Sequence, residues 1–144
     1  MISINQQDVL GSKSIDTLIP DIEQLLVSGA KVPPEKLQAF GQAVAMSIAE
    51  SLSKRERKAS LRMSNIGKPC GRQLYYEVNS PELAEEMKPE TYMKFMYGHL
   101  VEELVLFLAE LAGHEVTGHQ YTHEIQGIEG HRDAIIDGVL GDGK

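Results

Sequence analysis

Three residues near the end of the chain, Asp133, Asp142 and Lys144, have the types and spacing of a site that holds a divalent metal ion. Between them, Asp137-Gly138 predicts a two-residue hairpin turn with apolar residues on both sides. That turn pairs Ile136 with Val139, Ile135 with Leu140 and Ala134 with Gly141, and so sets Asp133 opposite Asp142. Two facing carboxylates, with Cβ atoms about 5 Å apart, are unfavourable unless a cation lies between them. Lys144 points the same way as Asp142, because side chains alternate along a strand. Carboxylates suit Mg2+ or Mn2+, which prefer oxygen ligands. An ammonium beside such an ion is the equipment for phosphodiester hydrolysis, with Lys144 orienting or helping to deprotonate the attacking water.

A third ligand is expected from the helix that precedes these strands. Glu102 is the best placed, at the edge of an apolar stripe, and Gly98 one turn earlier leaves room beside it. His99, three residues before Glu102, is a secondary ligand candidate or a phosphate contact. The turn itself explains Asp137, which is read as a turn residue rather than a ligand. A competing zinc reading rests on His123 and His131, which a hairpin can bring together, although no histidine spacing here is diagnostic.

The elements that must position these residues are legible in outline. Residues 1–17 read as a tail or a short strand. A first helix is expected over Ile19 to Ala30, and a second, long one from Glu35 to about Lys58, started by Pro34. Residues 59–71 read as a loop, and Arg72 to Val78 as a short helix or strand. The clearest helix runs from Tyr92 to Ala112 and stops at Gly113, with Tyr97, Val101, Leu104, Val105, Leu108 and Ala112 on its expected core stripe. The period then changes. Tyr121 to Ile128 alternates, and Glu129-Gly130 is read as a turn into 131–136. The expectation is an α+β protein: N-terminal helices over 1–58, then a long helix packed on a three-stranded antiparallel meander within 59–144.

Size and composition agree with one globular domain of 144 residues, 42% hydrophobic. No basic stretch precedes an apolar core at the start of the chain, and no apolar run is long enough to cross a membrane, so a cytoplasmic protein is expected. Cys70 is the single cysteine, which excludes an internal disulfide and an all-cysteine metal cluster; a small core residue is its expected role. The net charge is −7, yet Lys54 to Arg72 holds seven of the 14 Lys and Arg, opposed only by Glu56. A local basic segment can hold a polyanion even on an acidic body, because phosphate contacts act locally.

Four pieces of the sequence, taken in order, resemble the PD-(D/E)XK nuclease superfamily, specifically the RecB-like and lambda-type exonucleases of tailed phages. They are Arg62-Met-Ser-Asn-Ile-Gly-Lys-Pro-Cys-Gly-Arg-Gln-Leu-Tyr-Tyr76, Met96-Tyr-Gly-His-Leu-Val-Glu102, Gly130-His-Arg-Asp133 and Asp142-Gly-Lys144. The resemblance implies that Glu102, Asp133 and Asp142 bind the metal, that His99 stands near a position where some relatives use a histidine ligand, and that Lys144 is catalytic. It implies that Arg62, Ser64, Lys68 and Arg72 face DNA. It covers about residues 60–144, the first half of the family's αβββαβ core, with Gly141 and Gly143 flanking Asp142 where the family is usually apolar. The expected activity is a metal-dependent DNA exonuclease of phage recombination or DNA degradation, in the host cytoplasm if phage-encoded. The alternative is a non-catalytic DNA-binding or assembly module derived from such a nuclease. A third strand left with an unpaired edge invites a protein partner or self-association.

Overall fold

The computed structural model describes residues 13–53, 60–118 and 121–141. Asp142 and Lys144, and the basic residues Lys54, Arg55, Arg57 and Lys58, lie outside the described residues. The architecture is α+β, as expected. Among the described residues four α-helices, α1 (Leu18–Ser28), α2 (Pro34–Leu52), α3 (Gly71–Asn79) and α4 (Pro89–Leu111), accompany six short strands. A 3-10 turn at Ile15–Thr17 precedes α1. Local chemistry accounts for the helix ends. Proline occupies the first position of α2 and of α4, where its missing N–H costs nothing. Gly113 just past α4 has φ +92, a conformation that a side chain resists. The ambiguous segment after Arg72 is helical.

The strands form two three-stranded sheets rather than one continuous meander. In the first, β1 (Leu61–Arg62) runs parallel to β4 (Ile128–Arg132), and β3 (Tyr121–Ile125) runs antiparallel to β4. In the second, β5 (Ala134–Ile136) lies between β2 (Val116–Thr117) and β6 (Val139–Gly141). Asp133 is the break at which the chain leaves one sheet for the other. The hairpin register is the one expected from Asp137-Gly138: Ile136 faces Val139, Ile135 faces Leu140 and Ala134 faces Gly141. Both turn residues have positive φ, +50 and +78, the type I′ geometry that suits twisted strands.

The preceding turn differs from expectation. It falls at Gln126-Gly127, φ +54 and +79, and not at Glu129-Gly130. Both pairs contain glycine, but only the earlier one leaves five paired residues on each strand. Gly130 instead sits inside β4, buried, where the Met63 side chain occupies the space that a Cβ would take.

The core is small. Leu106 of α4 meets Ala134 and Ile136 of β5 in the buried apolar cluster, with Ile15, Leu18 and Val116 packed against it, and Ala109 of α4 is buried as well. α2 lies along α4, and Phe40 stacks on Phe107 at 4.4 Å between ring centroids. The face of α4 that turns inward is therefore Glu102, Leu106 and Ala109. Most of the expected stripe faces out, with Tyr97 70% exposed, Leu104 44% and Val105 41%, while Leu108 and Ala112 at its end are half-buried. Cys70, expected in the core, is exposed in the loop that enters α3.

A buried histidine ties the second hairpin to the N-terminal helix. The His114 side chain is fully buried. Its Nδ1 lies 2.6 Å from Asp137 Oδ2, and its Nε2 lies 3.1 Å from Asp21 Oδ2 of α1. Lys13 Nζ joins Asp21 Oδ2 at 2.8 Å. Asp137 also exchanges hydrogen bonds with Glu115: its Oδ1 accepts from the Glu115 N–H at 3.0 Å, and its own N–H donates to the Glu115 carbonyl at 2.9 Å. Asp137 is thus the turn residue that its sequence context suggests and an anchor as well.

Candidate metal centre

Contacts in the core bring two of the expected ligands together. Leu106 packs with Ala134 in the buried cluster. Glu102 stands one helical turn before Leu106, and Asp133 one residue before Ala134. The same contact that closes the core therefore draws the Glu102 and Asp133 carboxylates toward each other. The Glu102 pKa is pushed above its usual value, first by burial and then by the negative charge of Asp133, with His99 pulling the other way. His99 Nδ1 lies 3.8 Å from Glu102 Oε2. Glu102 Oε1 is buried and has no hydrogen-bond partner among the described residues. A Cβ at Gly98 would meet nothing within 4 Å, so the space one turn earlier is open.

A buried carboxylate oxygen without a donor, beside a second carboxylate, is costly to the protein alone. A hard cation would remove that cost. Mg2+ keeps several waters and needs only one or two carboxylates from the protein. Among the described residues no group of three His, Cys, Asp or Glu converges on one point. Asp142, the expected third ligand, lies outside them, as does Lys144. His123 and His131 do not converge as a zinc pair: His123 faces Gly130 and His131 faces Thr122 across the hairpin, so adjacent register positions send the two rings to opposite faces.

The four expected DNA contacts are scattered in character. Arg62 is exposed at the end of β1, in register with Glu129. Ser64 is exposed in the 3-10 turn Met63–Asn65. Arg72 is exposed on α3, its guanidinium 5.8 Å from the Tyr76 ring centroid. Lys68 is engaged elsewhere, with its Nζ 2.8 Å from both Glu77 carboxylate oxygens. That contact is the main reason the Glu77 carboxyl is held below its usual value. Sequence reasoning missed the His114 anchor, whose partners carry no local signal, and it missed β1 and β2, which are two residues long.

No family model, no curated protein and no solved structure matches this chain. Among the described residues no helix is long and apolar enough to cross a membrane.

The raised Glu102 pKa gives a signed prediction. A carboxyl whose pKa is higher in the folded state favours folding only when protonated, and that contribution is lost as pH rises above its ordinary value of 4.5. At neutral pH, in the absence of metal, Glu102 therefore opposes folding. Glu102→Gln is expected to raise the metal-free Tm by about 3 °C, corresponding to about 1 kcal/mol. The gain should shrink on acidification toward pH 4. Thermal melts in chelator across that range check it, and an unchanged or lower Tm at pH 7 would contradict it.

Proposed function

We propose that this chain is the metal-binding part of a DNA exonuclease of the PD-(D/E)XK type, acting in phage recombination or DNA degradation in the cytoplasm. Glu102 and Asp133, with Asp142, hold Mg2+ or Mn2+, and His99 sits at the edge of that set. The single observation that supports this reading is the buried, partnerless Glu102 oxygen beside Asp133. An ion held by these residues would supply charge neutralisation at the phosphate and a more acidic bound water. Asp133 and Glu102 would fix its place, and Lys144 would orient the water or steady the developing charge. Arg62, Ser64 and Arg72 meet the DNA backbone, and Lys68 does so only by leaving Glu77. The test is Mn2+-dependent cleavage of linear DNA by the folded chain, lost in Asp133→Asn.

A second reading, a DNA-binding or assembly module without catalysis, draws on the absence of a three-ligand group among the described residues. It requires DNA binding that is indifferent to chelator and to Asp133→Asn. Under either reading we also propose pairing with a second chain. Among the described residues β6 is an outer strand of its sheet, paired with β5 alone. Sedimentation over a rising concentration series should show association, and a monomer throughout would end this part of the proposal.

A further inference from the structure

The β3–β4 hairpin sorts its side chains by register. Tyr121 faces Arg132, His123 faces Gly130 and Ile125 faces Ile128, so these residues share one face. Thr122 with His131, and Glu124 with Glu129, take the other. Both acids of the hairpin thus stand on the reverse face, and its one arginine stands with the aromatic rings.

At the open end of that face the groups are in contact. The Arg132 guanidinium carbon lies 4.9 Å from the Tyr121 ring centroid. The Tyr121 and His123 rings are 4.6 Å apart. Tyr121 remains 53% exposed. Arg132 lies against the backbone of Gly118, and its buried Nε finds no hydrogen-bond partner among the described residues. An exposed tyrosine flanked by a flat cation and a second ring offers π faces and positive charge together. Any base can stack on such a surface and any phosphate can approach it, whereas bases inside a duplex keep their faces covered.

We propose that Tyr121, Arg132 and His123 form a stacking platform for single-stranded DNA, which leads the strand to Asp133, the residue next to Arg132. The substrate claim rests on the nuclease reading above, because the direction of the strand is set by Asp133 acting as a ligand. The occupant is an unpaired DNA end, whose bases have free faces to stack on the exposed ring, as those inside a duplex do not.

The experiment is fluorescence anisotropy of the full chain in chelator, with a labelled oligo(dT) and with a duplex of the same length. Oligo(dT) is expected to bind more tightly than the duplex. Tyr121→Ala should weaken oligo(dT) binding about tenfold or more, and Tyr121→Phe should retain it, since the ring and not the hydroxyl does the stacking. Arg132→Lys keeps the charge but loses the flat face, and should fall between the two. Equal binding of oligo(dT) and duplex, or wild-type binding by a folded Tyr121→Ala, overturns the platform. Failure of the nuclease reading looks different: oligo(dT) binding persists and responds to Tyr121, while Mn2+ produces no cleavage.

Discussion

On the proposed nuclease reading, Asp133→Asn is expected to lower Mn2+-dependent DNA cleavage at least about a thousandfold, or about 4 kcal/mol in barrier, because the proposed metal ligand and its charge would be lost together. The same change has a second signature that loss of fold cannot imitate. Asp133 is one of the charges that raise the Glu102 pKa. With an amide at 133, Glu102 should titrate closer to its ordinary 4.5, although burial still holds it above that value. Proton uptake measured by NMR on metal-free protein gives that shift, and calorimetry with Mn2+ gives the lost heat of binding. A variant that cleaves like the parent, or a folded parent that takes up no Mn2+, would sink the metal centre. A variant that loses cleavage while Glu102 titrates as before would indicate that Asp133 works elsewhere than beside Glu102.

The largest stability effect is expected at His114. His114→Ala removes a fully buried ring that contacts Asp137 and Asp21 from its two nitrogens. It leaves Asp137, whose side chain is 8% exposed, without its closest partner. The expected cost is about 3 kcal/mol, or a fall of about 10 °C in Tm. The pH dependence has a definite sign. Asp137 is held below its ordinary 3.8, chiefly by His114, and Asp21 likewise, chiefly by Lys13 and then Thr17. A lowered carboxyl pKa stabilises the fold above its unfolded value, and that support is lost as pH falls through the lower folded value. The parent should therefore lose stability as pH drops below about 4, and His114→Ala should lose less of it over the same interval. Melts at neutral and acid pH measure both quantities. A variant as stable as the parent would show that the hairpin is held without this anchor.

Both predictions concern residues whose types were visible in the sequence but whose partners were not. Asp137-Gly138 set the register of its hairpin, because a two-residue turn leaves one way to pair the flanking residues. Pro34 and Gly113 marked helix ends for reasons confined to a few atoms of backbone, whereas α4 starts at Pro89, three residues before the expected Tyr92. The pairing of Glu102 with Asp133 was expected from helix and strand order, and Asp133 does contribute to the raised Glu102 pKa.

What the chain alone determines here is local: where elements start, where they stop, and which residues a tight turn sets opposite each other. Only the tertiary structure decided which side of α4 faces inward. The run Leu104-Val105-Leu106-Phe107-Leu108 is apolar in nearly every direction, so periodicity cannot choose a face. The choice falls to distant partners, Ala134 on one side and Phe40 on the other. The His114 anchor is of the same kind, spanning 23 residues to Asp137 and 93 to Asp21. Contacts across such separations leave no short-range pattern, because the energy that selects them belongs to the assembled core and not to any window of the chain.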